Sequence, residues 1–512
     1  MTRSLVVLVV GGVLLGACAA RRSSSTSAAD IARAEEFVAA GCYRCLQDAL
    51  AIYERELQRA RRPSLALRQA AFEAATFVLL RQKELGIATA AALEKARALA
   101  AGAPTLPEHV PASILVDLAD LSIGDSNGQD PDDFAARNTR ERRLHATTLR
   151  PQLTTVSSPT TLETYLTLSH DCNDVEARRP LNFDDLMARF GNTPILRYRI
   201  AACGLGPRTA FAALREADAR WVEAAFYEGR AAVSGPPPNL RAAIDLFNIV
   251  QPAIPESPSI LLALAHALRG YGDLEPAVAR YDEVIALVPR NREALLGRAI
   301  TLSYLERHPD VIDTTTRMIE LGTWLMGDAY YWRARSRYVL KALDDAWSDA
   351  ENAVKLAPTT NVYTLAGVIA YDRKELDLAK ERFAQARKID QSNCTAHSYF
   401  ALVNAAQDNW PAATPVFSQA MTCFVQAAAA AQKELDQIEA SDFDPVYKGR
   451  LANQQRKTIE ESKLKSAQAA YNAAQGLLRA GKRAEALNHL QVALEHPEVR
   501  AQAEALQKLI GR

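Results

Sequence analysis

The chain has little glycine, no net charge, and no apolar run long enough to cross a bilayer. Glycine numbers 23 in 512 residues, below the usual share of about 7%. Runs of β-branched residues are also few, while alanine, the best helix former, is abundant, so the chain reads as nearly all helix. Basic and acidic residues balance at 60 each. Nothing in that balance suggests a nucleic acid as partner, because phosphate binders concentrate Lys and Arg on one face. The local clusters Arg55–Pro63 and Arg137–Arg143 read as solvated helix faces. Phosphate-cradling loops, nucleophile elbows and zincin helices are all missing. The acidic stretch Asp125–Asp133 lacks the alternating carboxylates and terminal Glu of a calcium loop. Histidines stand singly, and even His489 and His496 share a helix face without a third ligand. The expectation is no metal, no cofactor and no enzyme.

What is present begins at the N-terminus. Arg3 precedes an apolar run from Leu5 to Ala17, shorter than the roughly 20 residues a transmembrane helix needs but suited to a signal peptide. Leu15, Gly16, Ala17 and Cys18 resemble the bacterial lipobox: an apolar residue, two small ones, then cysteine. The resemblance implies that Cys18 is diacylated and becomes the new N-terminus. Two or more acyl chains anchor a protein stably. Ala19 after the cysteine is similar to outer-membrane lipoproteins, which implies the periplasmic face of that membrane. The expected layout opens with a signal at 1–18 and a flexible tether at 19–29.

Internal repetition dominates the rest. Gly272–Pro289 reads "GDLEPAVARYDEVIALVP", and Ala342–Pro358, Lys374–Asp390 and Gly481–Pro497 follow the same pattern. Each has a polar turn and then three packing residues spaced four and three apart. These are Ala277/Tyr281/Val284, Ala346/Ala350/Ala353, Ala379/Phe383/Ala386 and Ala486/Leu490/Ala493. Such spacing places all three on one helix face. The first helices of the units carry Ala265, Ala299, Ala334, Gly367 and Ala401 before the turn.

This pattern resembles the tetratricopeptide repeat (TPR), a helix–turn–helix unit of about 34 residues. Repeats are expected at 222–257, 258–291, 292–326, 327–359, 360–393 and 394–427. The third is degenerate, with Thr315 where a large residue belongs. Residues 428–512 read as long helices broken near "SDFDPVYKG", one further unit at 467–500, and a capping helix over Arg500–Leu509. The N-terminal half is weaker. Residues 30–103 form a TPR-like helical region, with Ala49 and Tyr53 in packing positions; 104–159 is a junction with loops; 160–221 is again helical. One long helix is expected over Arg208–Val233. The predicted fold class is an all-α, TPR-like α-solenoid with a degenerate N-terminal helical region.

With Cys18 lipidated, an even set of six cysteines remains in an exported chain, where thiols pair. In the repeat register, Cys394 opens a first helix and Cys423 closes its antiparallel partner, so the two should meet. By elimination Cys172 pairs with Cys203 and Cys42 with Cys45. The Cys42-Tyr-Arg-Cys45 stretch lies between helices with no strand nearby, unlike a thioredoxin-type redox centre, and reads as a structural clip.

The TPR resemblance also implies a ligand groove along the first helices. It places His266, Arg269, Tyr331, Arg335, Tyr338 and Tyr371 inward, beside apolar positions such as Leu296, Ile300 and Val368. The same tyrosines could instead only pack between units. The TPR subfamily that grips C-terminal carboxylates needs Lys and Asn at fixed groove positions, and no unit here has that pair. The expected function is a lipid-anchored, periplasm-facing scaffold that binds a protein or peptide partner in the cell envelope, in assembly, pilus biogenesis or secretion. The alternative is a solute-binding accessory lipoprotein of a transporter, which requires a closed polar cavity instead of an open groove. Thiol redox activity at Cys42 and Cys45 ranks third.

Overall fold

The computed structural model describes residues 27–87, 90–102, 193–202, 209–235, 237–322 and 325–511. Cys18, the junction 104–159, Cys172 and Cys203 lie outside the described residues. Every regular element among the described residues is helical. The chain divides into two compact units, residues 1–267 with 286–288, and 268–285 with 289–512.

The first unit contains a helical stretch over 27–40 and then α1 (Tyr43–Arg59), α2 (Leu65–Glu84), α3 (Ala90–Gly102), α4 (Pro194–Ala202), α5 (Ala210–Ala217), α6 (Ala224–Ser234) and α7 (Leu240–Val250). Residues 27–29, assigned above to the tether, are already helical, and Ser27 Oγ donates to Glu56 Oε2 at 2.6 Å. Ala49 and Tyr53 are buried in this unit's core. Gly41 turns the chain into α1 with φ +72°, and a Cβ there would lie 2.6 Å from Ile195 Cβ. Only glycine meets both demands.

The single helix expected over Arg208–Val233 is two helices. At Asp218 the backbone swings to φ −152°, and the carboxylate accepts from the N–H and guanidinium of Arg220. This local side-chain bonding competes with helix continuation. Trp221 then drops into the core at 1% exposure, and α6 restarts three residues later.

α8 (Pro258–Tyr271) and α9 (Leu274–Leu287) precede the helix pairs of the second unit. These are α10 (Arg292–Tyr304) with α11 (His308–Glu320), α12 (Met326–Val339) with α13 (Leu343–Leu356), and α14 (Thr360–Asp372) with α15 (Leu376–Ile389). α16 (Cys394–Ala406) with α17 (Trp410–Ala440), α18 (Pro445–Arg479) with α19 (Arg483–Glu495), and α20 (Pro497–Ile510) complete it. Side-chain caps start several helices: Asn291 accepts from Ala294 N–H and Asn393 from Ala396 N–H, both at 2.9 Å. Each hairpin turns through one left-handed residue: Gly272, Glu306, Lys341, Lys374, Asp408 and Gly481. Through Asp408 these recur at the interval of about 34 residues that marks the repeat.

The packing triplets face inward as their spacing requires. Ala277, Tyr281, Val284, Ala379, Phe383, Ala386, Ala486, Leu490 and Ala493 are fully buried. Small residues on the first helices receive the large ones. A Cβ on Gly297 would lie 2.5 Å from the Tyr281 ring, and one on Gly367 would lie 2.7 Å from Phe383. Thr315 is completely buried because its hydroxyl donates to Val311 O at 2.6 Å, which satisfies the polar group without water.

α17 outruns its repeat, breaks at Ser441–Asp444 and returns as α18, forming a long hairpin. Asp444 accepts from the N–H groups of Val446 and Tyr447, so the break is also an N-cap. Within the second unit the hairpin tip reaches back to the end of α8. Tyr271 Oη donates to Asp444 at 2.5 Å, Arg450 pairs with Asp273 at 2.8 Å, and the Tyr271 and Tyr447 rings stack.

Candidate functional site

The residues assigned to the groove fall in three places. His266 belongs to the first unit and is partly buried; Arg269 lies on the part of α8 that belongs to the second. Tyr331, Arg335 and Tyr338 share α12, and Tyr371 ends α14. All four are partly buried.

α12 explains how its arginines divide. Arg333 and Arg337, one turn apart, both reach Asp349 on α13, at 2.8 and 2.7 Å, and Asp349 is only 2% exposed. That bidentate-plus-one arrangement satisfies the buried carboxylate and fixes the rotation of α12. Arg335 therefore points elsewhere. It donates to Ser303 at the end of α10 and lies over the Trp332 ring, 5.3 Å from its centroid. Tyr331 meets Trp332 edge-on at 5.4 Å. Burial raises the Tyr331 hydroxyl above its ordinary value against the pull of Arg335, so it remains a neutral donor at physiological pH.

One repeat further, Tyr338 Oη donates to Asp372 Oδ2 at 2.8 Å, which ties α12 to the end of α14. Burial and that carboxylate both raise the Tyr338 hydroxyl. Tyr371 stands edge-on to Tyr399 of α16 at 5.8 Å, and Tyr399 stacks on the buried Phe383. Lys374 lies over the Tyr371 ring. Tyr331, Arg335 and Trp332 thus form one cluster, and Tyr338, Tyr371, Tyr399 and Asp372 another. Several of these groups tie repeats together while leaving part of a ring or guanidinium open to solvent. Trp332, Tyr399 and Asp372 were not singled out in the sequence. Tyr338 and Asp372 stand 34 positions apart, so complementary residues one repeat apart are the signal that finds such pairs.

A cavity of about 1210 Å3 opens elsewhere in the second unit, between α15, the start of α16 and α17. Arg387, His397, Gln419 and the Cys394–Cys423 disulfide line it. The two cysteines have Cα atoms 5.4 Å apart and join the first turn of α16 to α17. A smaller cavity of about 560 Å3 lies beside Trp410, Leu477 and Arg479. At its edge Ser418 Oγ sits 2.9 Å from His489 Nε2, while His489 Nδ1 lies 3.0 Å from Glu485 O. Ser418 Oγ also reaches Thr414 O at 3.3 Å, and its contact with His489 ties α17 to α19.

In the first unit Cys42 and Cys45 are disulfide-bonded in the opening turn of α1, at 0% and 1% exposure. Thiol exchange needs access of a thiolate to one of the sulfurs, and this burial restricts it. Nearby lies a buried ionic group. Glu84 pairs with Arg199 and Arg81 and accepts from Tyr198 Oη at 3.1 Å. Burial works to raise the Glu84 carboxyl, but the two arginines outweigh it and hold it below its ordinary value. Glu223, 2% exposed, accepts from the Tyr43 N–H at 2.6 Å, and burial pushes its carboxyl up to about 7.

Among the described residues no helix is long and apolar enough to cross a membrane, and no three His, Cys, Asp or Glu side chains converge as a metal site. No protein-family profile matches the sequence, and no curated protein matches it. Solved structures similar to parts of the chain include TPR proteins. YrrB, a TPR protein with an unusual peptide-binding site, is 21% identical, covers 35% of this chain and 91% of its own, and has a TM-score of 0.31. A tetratricopeptide repeat protein from Parabacteroides merdae is 13% identical over 57% of this chain and 99% of its own, at TM-score 0.35. The C-terminal part of a TPR repeat-containing protein from Cytophaga hutchinsonii is 15% identical over 56% and 98%, at TM-score 0.38. By its own helix pairing, its left-handed turns and its buried triplets, the array described here is an all-α solenoid of tetratricopeptide type.

Proposed function

We propose that this chain is a lipid-anchored scaffold on the periplasmic face of a bacterial outer membrane, and that it binds a protein or peptide partner in envelope assembly, pilus biogenesis or secretion. The anchor rests on Leu15–Cys18. The binding role rests on one observation above the others: partly exposed Tyr331, Trp332, Arg335, Tyr371 and Tyr399 gather on successive first helices. Tyrosine, tryptophan and arginine are the residue types that dominate binding hot spots. Their rings are already held by neighbours, so little side-chain entropy is lost on binding.

The test is Tyr331→Ala combined with Arg335→Ala, with affinity for a partner captured by crosslinking measured alongside a melting curve. A loss of at least tenfold in affinity with unchanged melting supports the reading. Unchanged affinity moves the site elsewhere, and a lowered melting temperature with unchanged affinity makes these residues packing groups only.

A further inference from the structure

The cavity beside the Cys394–Cys423 disulfide has an electrostatic oddity. Arginines in the neighbouring repeats meet carboxylates: Arg333 and Arg337 meet Asp349, Arg382 meets Glu351 at 3.0 Å, and Arg373 meets Glu375 at 2.9 Å. Arg387 meets none. Its Nε–H donates to His397 Nδ1 at 3.0 Å, its Nη2 reaches Gln419 Oε1 only at 3.5 Å, and its plane lies 4.5 Å from the Phe400 centroid. Burial lowers the guanidinium below its ordinary value with no anion to offset it. Asp390, in the adjoining turn, accepts at Oδ1 from the N–H and hydroxyl of Ser392.

His397 holds this arrangement in place. Its Nδ1 accepts from Arg387, so its proton sits on Nε2 and is donated to Gln391 O at 2.9 Å. The imidazole aims the guanidinium, while Phe400 fixes its plane. Among the described residues no aspartate or glutamate lines the cavity, and Lys388 adds a second positive charge. Gln391, Gln419, Thr422 and Gln426 supply neutral donors and acceptors along the walls.

We propose that this cavity is a second binding site, separate from the aromatic face, and that it takes an acidic peptide segment with one carboxylate on the Arg387 guanidinium. A planar, pre-oriented guanidinium whose terminal nitrogens meet only the long Gln419 contact among the described residues is suited to bidentate carboxylate binding. The amide-lined walls are suited to a peptide main chain. At about 1210 Å3 the space exceeds the roughly 300–1,000 Å3 of usual small-molecule pockets, which favours a peptide over a metabolite. This site shares no residue with the Tyr331–Arg335 cluster, so it stands or fails independently of the function proposed above.

The test is fluorescence anisotropy on the full chain with a labelled ten-residue peptide of alternating Glu and Gly, against the matched Gln–Gly peptide. The Glu peptide should bind at least tenfold more tightly than the Gln peptide, and the advantage should shrink in high salt. Arg387→Gln should weaken the Glu peptide at least tenfold. Gln426→Glu, on an exposed position of α17, should do the same without touching Arg387, which covers the case in which Arg387→Gln misfolds. Tyr331→Ala with Arg335→Ala should leave this peptide's affinity unchanged. Equal binding of the two peptides, or a Glu-peptide affinity within twofold of wild type in both cavity variants, overturns the proposal. So does displacement of the peptide by millimolar inorganic phosphate or by phosphatidylglycerol vesicles, which would make the site a general anion or membrane contact.

Discussion

Replacing Glu223 by Gln should make the first unit more stable at neutral and alkaline pH, although it removes a charge that sits beside a helix N-terminus. Glu223 is 2% exposed, and its carboxyl is pushed by burial from the ordinary 4.5 to about 7, against the pull of the Tyr43 N–H. A raised carboxyl means that the folded state binds more protons than the unfolded state between those values. Stability from this group is then highest below about pH 4.5, falls as pH rises toward 7, and stays low above it. At about 1.4 kcal/mol for each tenfold in acid strength, the penalty above pH 7 is about 3 kcal/mol. Glutamine keeps an oxygen for the Tyr43 N–H, bonded at 2.6 Å, and has nothing to ionise. Glu84 acts in the opposite direction and in another window. Its lowered carboxyl protects the fold above pH 4.5 and fails only as pH falls below that. Hydrogen exchange read by mass spectrometry on peptides spanning 43–59 isolates the effect to α1. At pH 8 Glu223→Gln should slow exchange on the order of 100-fold after correction for intrinsic rates, and at pH 4.5 by little. Equal exchange in the two proteins at pH 8, or faster exchange in the variant, would refute the reasoning.

Other perturbations follow from the packing, the turns and the anchor. Gly367→Ala forces a Cβ to within 2.7 Å of the fully buried Phe383 ring; overpacking of about 1–3 kcal/mol should outweigh the helix-propensity gain, visible as a lower denaturation midpoint. Gly449→Ala, a helical site with nothing within 4 Å, is its control and should stabilise by about 1 kcal/mol. Lys341→Gly relieves a left-handed residue at φ 64° and should raise stability by about 0.5–1 kcal/mol; a lower midpoint would mean that Lys341 makes a contact worth more than the strain. Cys18→Ser should release the protein from the membrane fraction, and a variant that still pelleted and resisted salt extraction would end the lipoprotein reading.

The repeats were legible because each packing triplet uses one spacing and one size order. Ala379, Phe383 and Ala386 could be placed on a buried face from the sequence alone, and all three are at 0% exposure. What could not be read depends on geometry between elements. The break at Asp218 comes from a side chain competing for backbone N–H groups, and no hydrophobic period records it. The return of the hairpin tip to Tyr271 joins residues 173 positions apart, beyond the reach of any local pattern. Arg387 looks in the sequence like any helix-surface arginine. Its lack of a carboxylate emerges only when α15, α16 and α17 are set side by side. Thr315, the weak point of the third repeat, is accommodated by a hydrogen bond to its own helix.

A partner held on the face carrying Tyr331 and Tyr371 comes within reach of a reactive group placed at either position. Site-specific photo-crosslinking in intact cell envelopes tests it most directly, with a photoreactive residue placed in turn at 331, at 371, and at the exposed Glu381 of α15. The same discrete adduct is expected from positions 331 and 371 and none from 381. Absence of adducts at 331 and 371, or the same adduct from 381, would contradict it.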